Sequence, residues 1–175
     1  MSSTRDAVVT VVGAVVAVLL QVVLAPNIAI FNAQPNFLLA YVLCIAIARP
    51  EASGAVLPFI LGLLYDLLGT GPVGGMAFLL VLVCFLASML FSVLDNRTAP
   101  VAILALVAGV VLVESLYGLL LVTLGLPVGV GEMFLYRALP CALYDCVVVL
   151  IVYPIVSHLF KGEEQTREPF VPRVE

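Results

Sequence analysis

Polar residues punctuate this chain in short groups, and between them Val, Leu, Ile, Ala and Phe run almost without interruption. Many of these runs approach or exceed the roughly 18 to 20 residues that carry a helix across a bilayer, and they recur from one end of the chain to the other. The pattern predicts an all-α fold, a single six-helix transmembrane bundle over residues 1–160 with spans near 7–25, 36–48, 52–68, 74–94, 99–124 and 133–160. No stretch is long enough for a separate soluble domain. Residues 161–175 are polar and contain two prolines, which predicts a short disordered tail on the cytoplasmic side.

The breaks have their own chemistry. Pro26 is expected to end the first span, since proline lacks the N–H donor and crowds the preceding turn. The linker Pro26–Pro35 is uncharged and partly apolar, as suits a segment lying at the interface or folding back on the bundle. The second span is short: about 13 residues cover only about 20 Å, so it must extend into the linker or be shielded by neighbours. Arg49-Pro50-Glu51 precedes a third span that Pro58 interrupts and that Gly62-Leu-Leu-Tyr-Asp-Leu-Leu-Gly-Thr-Gly-Pro-Val-Gly-Gly75 closes. Gly69, Gly71, Pro72 and Gly74 predict a tight reversal there, with glycine open to positive φ and proline fixing the bend. Pro100 suits the first turn of the fifth span, residues 125–131 form a second glycine-rich turn, and Pro140 and Pro154 lie within the sixth span. The first run superficially resembles a signal peptide, with Arg5 ahead of it, but its roughly 19 apolar residues exceed the 7 to 15 of such a segment.

Composition agrees: 64% of the residues are hydrophobic and 10% charged, with a formal net charge of −4. The scattered basic residues form no nucleic-acid footprint. Cys44, Cys84, Cys141 and Cys146 lie in apolar segments with no C-x-x-C pair, and read as small core-filling side chains rather than a disulfide framework or a metal site. Arg5, Arg49, Arg97, Lys161, Arg167 and Arg173 all fall on the side that holds both termini, against Arg137 alone on the other. By the positive-inside rule both termini are expected in the cytoplasm, with the glycine-rich turns and the Pro26–Pro35 linker outside.

Counting inward from the cytoplasmic ends places Asp66, Glu114 and Asp145 in one layer, each about 21 or 22 Å deep. Arg137, Cys141, Tyr144 and Asp145 share one helix face, and Glu114 shares another with Tyr117. Ionisable side chains at that depth turn inward and pair. A buried polar cluster of Asp66, Glu114, Asp145 and Arg137 with Tyr65 or Tyr144 is therefore expected. It could tie helices together, bind a partner or ligand, or catalyse. Two Tyr-Asp pairs are shared with intramembrane aspartyl proteases, but their Gly-x-Gly-Asp motif is replaced by Gly69-Thr-Gly-Pro72, so no catalytic residue is assigned. Gly69-x-Gly71 lacks the Lys-Ser/Thr of a phosphate loop, His158 stands without ligand companions, and no cofactor is expected.

Leu20-Gln21, Pro35-Asn-Phe-Leu-Leu39 and the Gly62–Gly74 motif, together with length and span count, resemble the MreD family of bacterial rod shape-determining proteins. At the second anchor Asn36 stands where that family tends to have an acid. The resemblance implies a non-enzymatic component of the cell-wall elongation machinery in the bacterial cytoplasmic membrane. Its implied partners are a bitopic MreC-like protein and, through it, a peptidoglycan polymerase and transpeptidase and the actin-like MreB where present. The family is also similar in fold to the substrate-binding subunits of energy-coupling-factor vitamin transporters. The alternative is thus a small-molecule binder whose pocket Asp66, Glu114 and Asp145 would line. A filled interior favours the scaffold; an outward-open polar cavity favours the binder.

Overall fold

The computed structural model describes residues 2–30, 33–50, 54–69, 71–93, 99–125 and 129–161. The turn at 94–98, residues 126–128 of the second glycine-rich turn and the tail beyond Lys161 lie outside these residues, as does Thr70 within the Gly62–Gly75 motif. The described residues are helical almost throughout. Helix α1 (Ser2–Leu19) continues through a π-helical turn (Leu20–Leu24) and a 3-10 turn (Ala25–Ile28). Then come α2 (Phe37–Ala48), α3 (Val56–Leu68), α4 (Gly75–Val93) and α5 (Ala99–Thr123). The last rod is built of α6 (Val130–Met133), a second π-helical turn (Phe134–Ala138) and α7 (Leu139–Lys161). Asp6–Ile28, Gly75–Ser92, Ala99–Thr123 and Val130–Phe160 are long and apolar enough to cross a membrane, whereas α2 and α3 are shorter apolar helices of 12 and 13 residues.

Helix α2 is apolar on every side, and a helix of that kind has no face to offer water or a boundary. It occupies the centre. Every residue from Phe37 to Ile47 is buried, and α1, α3, α4, α5 and α7 all pack against it. The surrounding helices turn Val15, Phe85, Leu104 and Leu143 outward, and a bilayer solvates such an apolar surface. Neighbours on all sides, rather than extension into the linker, shield the ends of the short helix.

Two prolines mark different positions from those expected, and a third is accommodated within the last rod, where it was expected. Pro26 does not end the first helix; it occupies the first turn of the 3-10 segment, where a missing N–H breaks no helical bond. Pro58 is the third residue of α3 and so belongs to its opening turn rather than interrupting it. Pro140 is the second residue of α7, two positions after the π-turn, whose wider coil relieves the clash of the proline ring with the preceding turn.

Helices α3 and α4 form a tight hairpin. At Gly62 the two backbones approach so closely that a Cβ would overlap the Ala77 backbone. The reversal between them bonds Gly75 N–H to the Pro72 carbonyl at 3.3 Å, and Gly74 takes φ +97°, a conformation that glycine adopts without penalty. Gly69 is different: its φ is −92° and an added Cβ would meet Tyr65 O at 3.4 Å.

Gly62→Val is expected to destabilise the protein by about 1–3 kcal/mol through overpacking against a backbone that cannot yield. Gly69→Ala should stay within roughly 0.5 kcal/mol of the parent. Thermal unfolding of the two purified variants in detergent checks the difference, and equal midpoints would remove the close approach as the reason for Gly62.

Candidate functional site

The first turn of a helix carries N–H groups with no partner inside the helix, and inside a bilayer no water supplies one. At α2 three side chains do so, one from its own N-cap and two from other parts of the chain. Asn36 is the N-cap, its Oδ1 accepting from Leu39 N–H at 3.0 Å. Gln21, buried within the π-turn after α1, accepts from Phe37 N–H at 2.8 Å through Oε1 and donates from Nε2 to the Pro35 carbonyl at 3.3 Å. Asp145 of α7 accepts from Asn36 N–H at 2.6 Å. An acid at this end also complements the positive pole of the helix.

Asp66 serves α4 in the same way. Its carboxylate accepts from Gly74 and Ala77 N–H through Oδ2, at 2.9 and 3.2 Å, and from Met76 N–H through Oδ1 at 3.1 Å. Both oxygens of this acid, whose residue is 2% exposed, are thus taken up by the start of the next helix. The Gly62–Gly75 motif is one device: Gly62 brings the helices together, Asp66 caps the second, and Gly74 turns the chain so that its N–H groups reach the carboxylate.

The expected polar cluster accordingly divides. Glu114 of α5 and Asp145 of α7 are both buried and lie within electrostatic reach of each other, and the second Asp145 oxygen, Oδ2, has no hydrogen-bond partner among the described residues. Tyr65 and Tyr117 pack edge to face beside them, with ring centroids 6.2 Å apart, and Arg137 stands over the Tyr117 ring at 5.4 Å. The Arg137 charge reaches Glu114 through space, but among the described residues it forms no ion pair. Asp66 stands apart from this group, turned to the start of α4, with Tyr117 between the two sites. Tyr144 is elsewhere as well: its hydroxyl donates to the Ile28 carbonyl at 2.8 Å and fastens the linker to α7. Of the turn residues, Gly71 leaves room for the Tyr117 hydroxyl, which a Cβ there would overlap.

Three further residues take part. Gln21 and Asn36 carry no charge, and apart from their place in two of the family-like anchors their sequence signal is a polar side chain beside or inside an apolar run. Arg49, at the C-cap of α2, pairs with Asp6 at 2.6 Å and stacks over Phe160 at 5.3 Å, placing a cation at the negative pole of the central helix.

None of the three acids lines a large cavity. An open groove of about 520 Å³ is lined by Ile30, Ala33, Leu135, Tyr136, Pro140 and Tyr144. A smaller one of about 80 Å³ lies near Thr10, Arg49 and Pro58. Among the described residues no three of His, Cys, Asp and Glu gather as metal ligands would.

A family model described as rod shape-determining protein MreD matches residues 1–162 of the chain. No curated protein and no solved structure matches it.

Asp66→Asn sets an NH₂ group against backbone N–H groups and removes at least one charge-assisted bond, which is expected to destabilise by about 1.5–3 kcal/mol. Asp145→Asn should be milder than Asp145→Leu, because the amide oxygen still accepts from Asn36 N–H and a leucine cannot. Detergent melting of the three variants tests the ranking; equal loss in both Asp145 variants would deny that this side chain caps α2.

Proposed function

Because the chain belongs to the MreD family of rod shape-determining proteins, we propose that it acts in the bacterial cytoplasmic membrane as a scaffold without a reaction of its own. In this reading the six helices all lie within the membrane, both termini are cytoplasmic, and the bundle docks the transmembrane helix of an MreC-like bitopic partner. Through that partner it engages a peptidoglycan polymerase and transpeptidase, and MreB where present.

The observation that carries the reading is where the acids point. Asp66 and Asp145 accept hydrogen bonds from the starts of α4 and α2, and neither is among the residues that line the two grooves. A small-molecule binder needs a concave site with a few convergent polar groups. The groove of about 520 Å³ has an apolar lining instead, and neither Asp66, Glu114 nor Asp145 contributes to it. A firmly tied bundle with an apolar outer surface suits the docking of a helix in the membrane. Residues 66, 114, 137 and 145, with Tyr65 and Tyr144, then hold the shape that a partner recognises. The Gly62–Gly74 turn sits at the end of the bundle where an extracytoplasmic partner domain would begin.

Affinity purification of the tagged protein from its own membranes is expected to recover a bitopic partner together with wall-synthesis enzymes. Recovery of an ATPase module in their place would reverse the assignment in favour of a transporter subunit. A reporter fused after Glu175 should be active only in the cytoplasm, and activity outside would overturn the orientation.

A further inference from the structure

The groove between the linker and the last rod has a floor and walls suited to hydrocarbon. Ile30 and Ala33, joined by a pair of backbone hydrogen bonds of 3.0 and 2.8 Å, form one side; Leu135, Tyr136, Pro140 and Tyr144 form the other. The Tyr144 hydroxyl is turned away to the Ile28 carbonyl, so the inner end of the groove presents the ring rather than the polar atom. From Tyr136 to Tyr144 the groove follows the rod for about 12 Å at 1.5 Å per residue.

Its depth is set by the rod. Val130–Phe160 counts 31 residues. At 1.5 Å each the rod is about 46 Å long and exceeds a hydrocarbon core of about 30 Å by about 8 Å at either end. Arg137, about 10 Å in from Val130, therefore stands close to the boundary between headgroups and acyl chains. The guanidinium is half-buried, rests on the Tyr117 ring and, among the described residues, has no ion-pair partner; Glu132, the nearest acid along the rod, is exposed. A cation at that level beside an apolar channel complements one kind of molecule, an anionic phosphate joined to an acyl chain.

We propose that the groove lined by Ile30, Ala33, Leu135, Tyr136, Pro140 and Tyr144 holds the acyl chain of a phosphate-bearing anionic lipid whose headgroup is held by Arg137. The lipid enters sideways from the leaflet at this end of the bundle. It fills the space between the linker and the rod, and its phosphate gives Arg137 an anion at ion-pair distance, which Glu114, reached only through space, does not.

The test is native mass spectrometry of the detergent-purified full chain offered phosphatidylglycerol or a chain-matched galactosyl diacylglycerol, which has neither phosphate nor charge. The wild type should retain phosphatidylglycerol about five-fold better, the preference that one basic side chain confers near an anionic headgroup. Arg137→Gln should abolish the preference and Arg137→Lys keep it. Leu135→Trp, at an exposed position of the groove, should lower retention of both lipids, whereas Leu104→Trp on the exposed side of α5 should lower neither. Equal retention of the two lipids by the wild type overturns the proposal. So does loss of a co-purifying membrane protein in Leu135→Trp with lipid retention unchanged, which would make the groove a protein interface.

Discussion

An N–H group at the start of a helix must find an acceptor, and in hydrocarbon the acceptor has to be protein. The bundle is arranged around that requirement. Helix α2 begins among other helices rather than at a wet boundary, so its first turn needs acceptors from the chain itself, and Gln21, Asn36 and Asp145 provide them. Helix α4 begins where the Gly-rich turn reverses the chain, and Asp66 provides for it. A buried acid in such a place is no anomaly, since the positive pole of a helix and its free donors are what a carboxylate needs in place of water.

Satisfying α2 fixes much else. Gln21 anchors the end of α1, Asp145 anchors α7, and Arg49 at the opposite end reaches Asp6 near the start of α1 and Phe160 near the end of α7. The same two helices are thus tied to α2 at both of its ends. Helices α3 and α4 add a second device to the Asp66 bonds, because the absence of a side chain at Gly62 lets their backbones touch. The chain therefore uses two ways of joining helices in a solvent that gives no hydrophobic force between them: polar bonds at helix ends and close packing at a glycine.

The sequence made some of this legible and hid the rest for a definite reason. The brevity of the second apolar run already required either extension or shielding, and central burial follows from the shielding. Counting residues gave depth, and depth put Glu114 and Asp145 at one level; in the fold each lies within electrostatic reach of the other. Depth is one coordinate of three, however. Asp66 shares the level but points along its hairpin to α4, and Tyr144 shares a helix face with Asp145 but reaches the linker. Direction around each helix depends on which helices are neighbours, and no run of apolar residues encodes that. The prolines misled for a related reason: their effect depends on whether they stand in a first turn, as Pro26 and Pro58 do, and the hydropathy pattern blurs helix starts by several residues.

The bond from Asn36 N–H to Asp145 spans 109 positions of sequence. Synthesis proceeds at about 5–20 residues per second, so about 5 to 20 s pass between the emergence of the central helix and the arrival of the side chain that completes its first turn. During that interval α2 is too short to stand in the bilayer alone and lacks most of the helices that later surround it. The segment around which the finished bundle is built is thus among the last to settle. The growing chain has to be sheltered, by the insertion machinery or by lodging α2 at the membrane surface, until the final rod arrives.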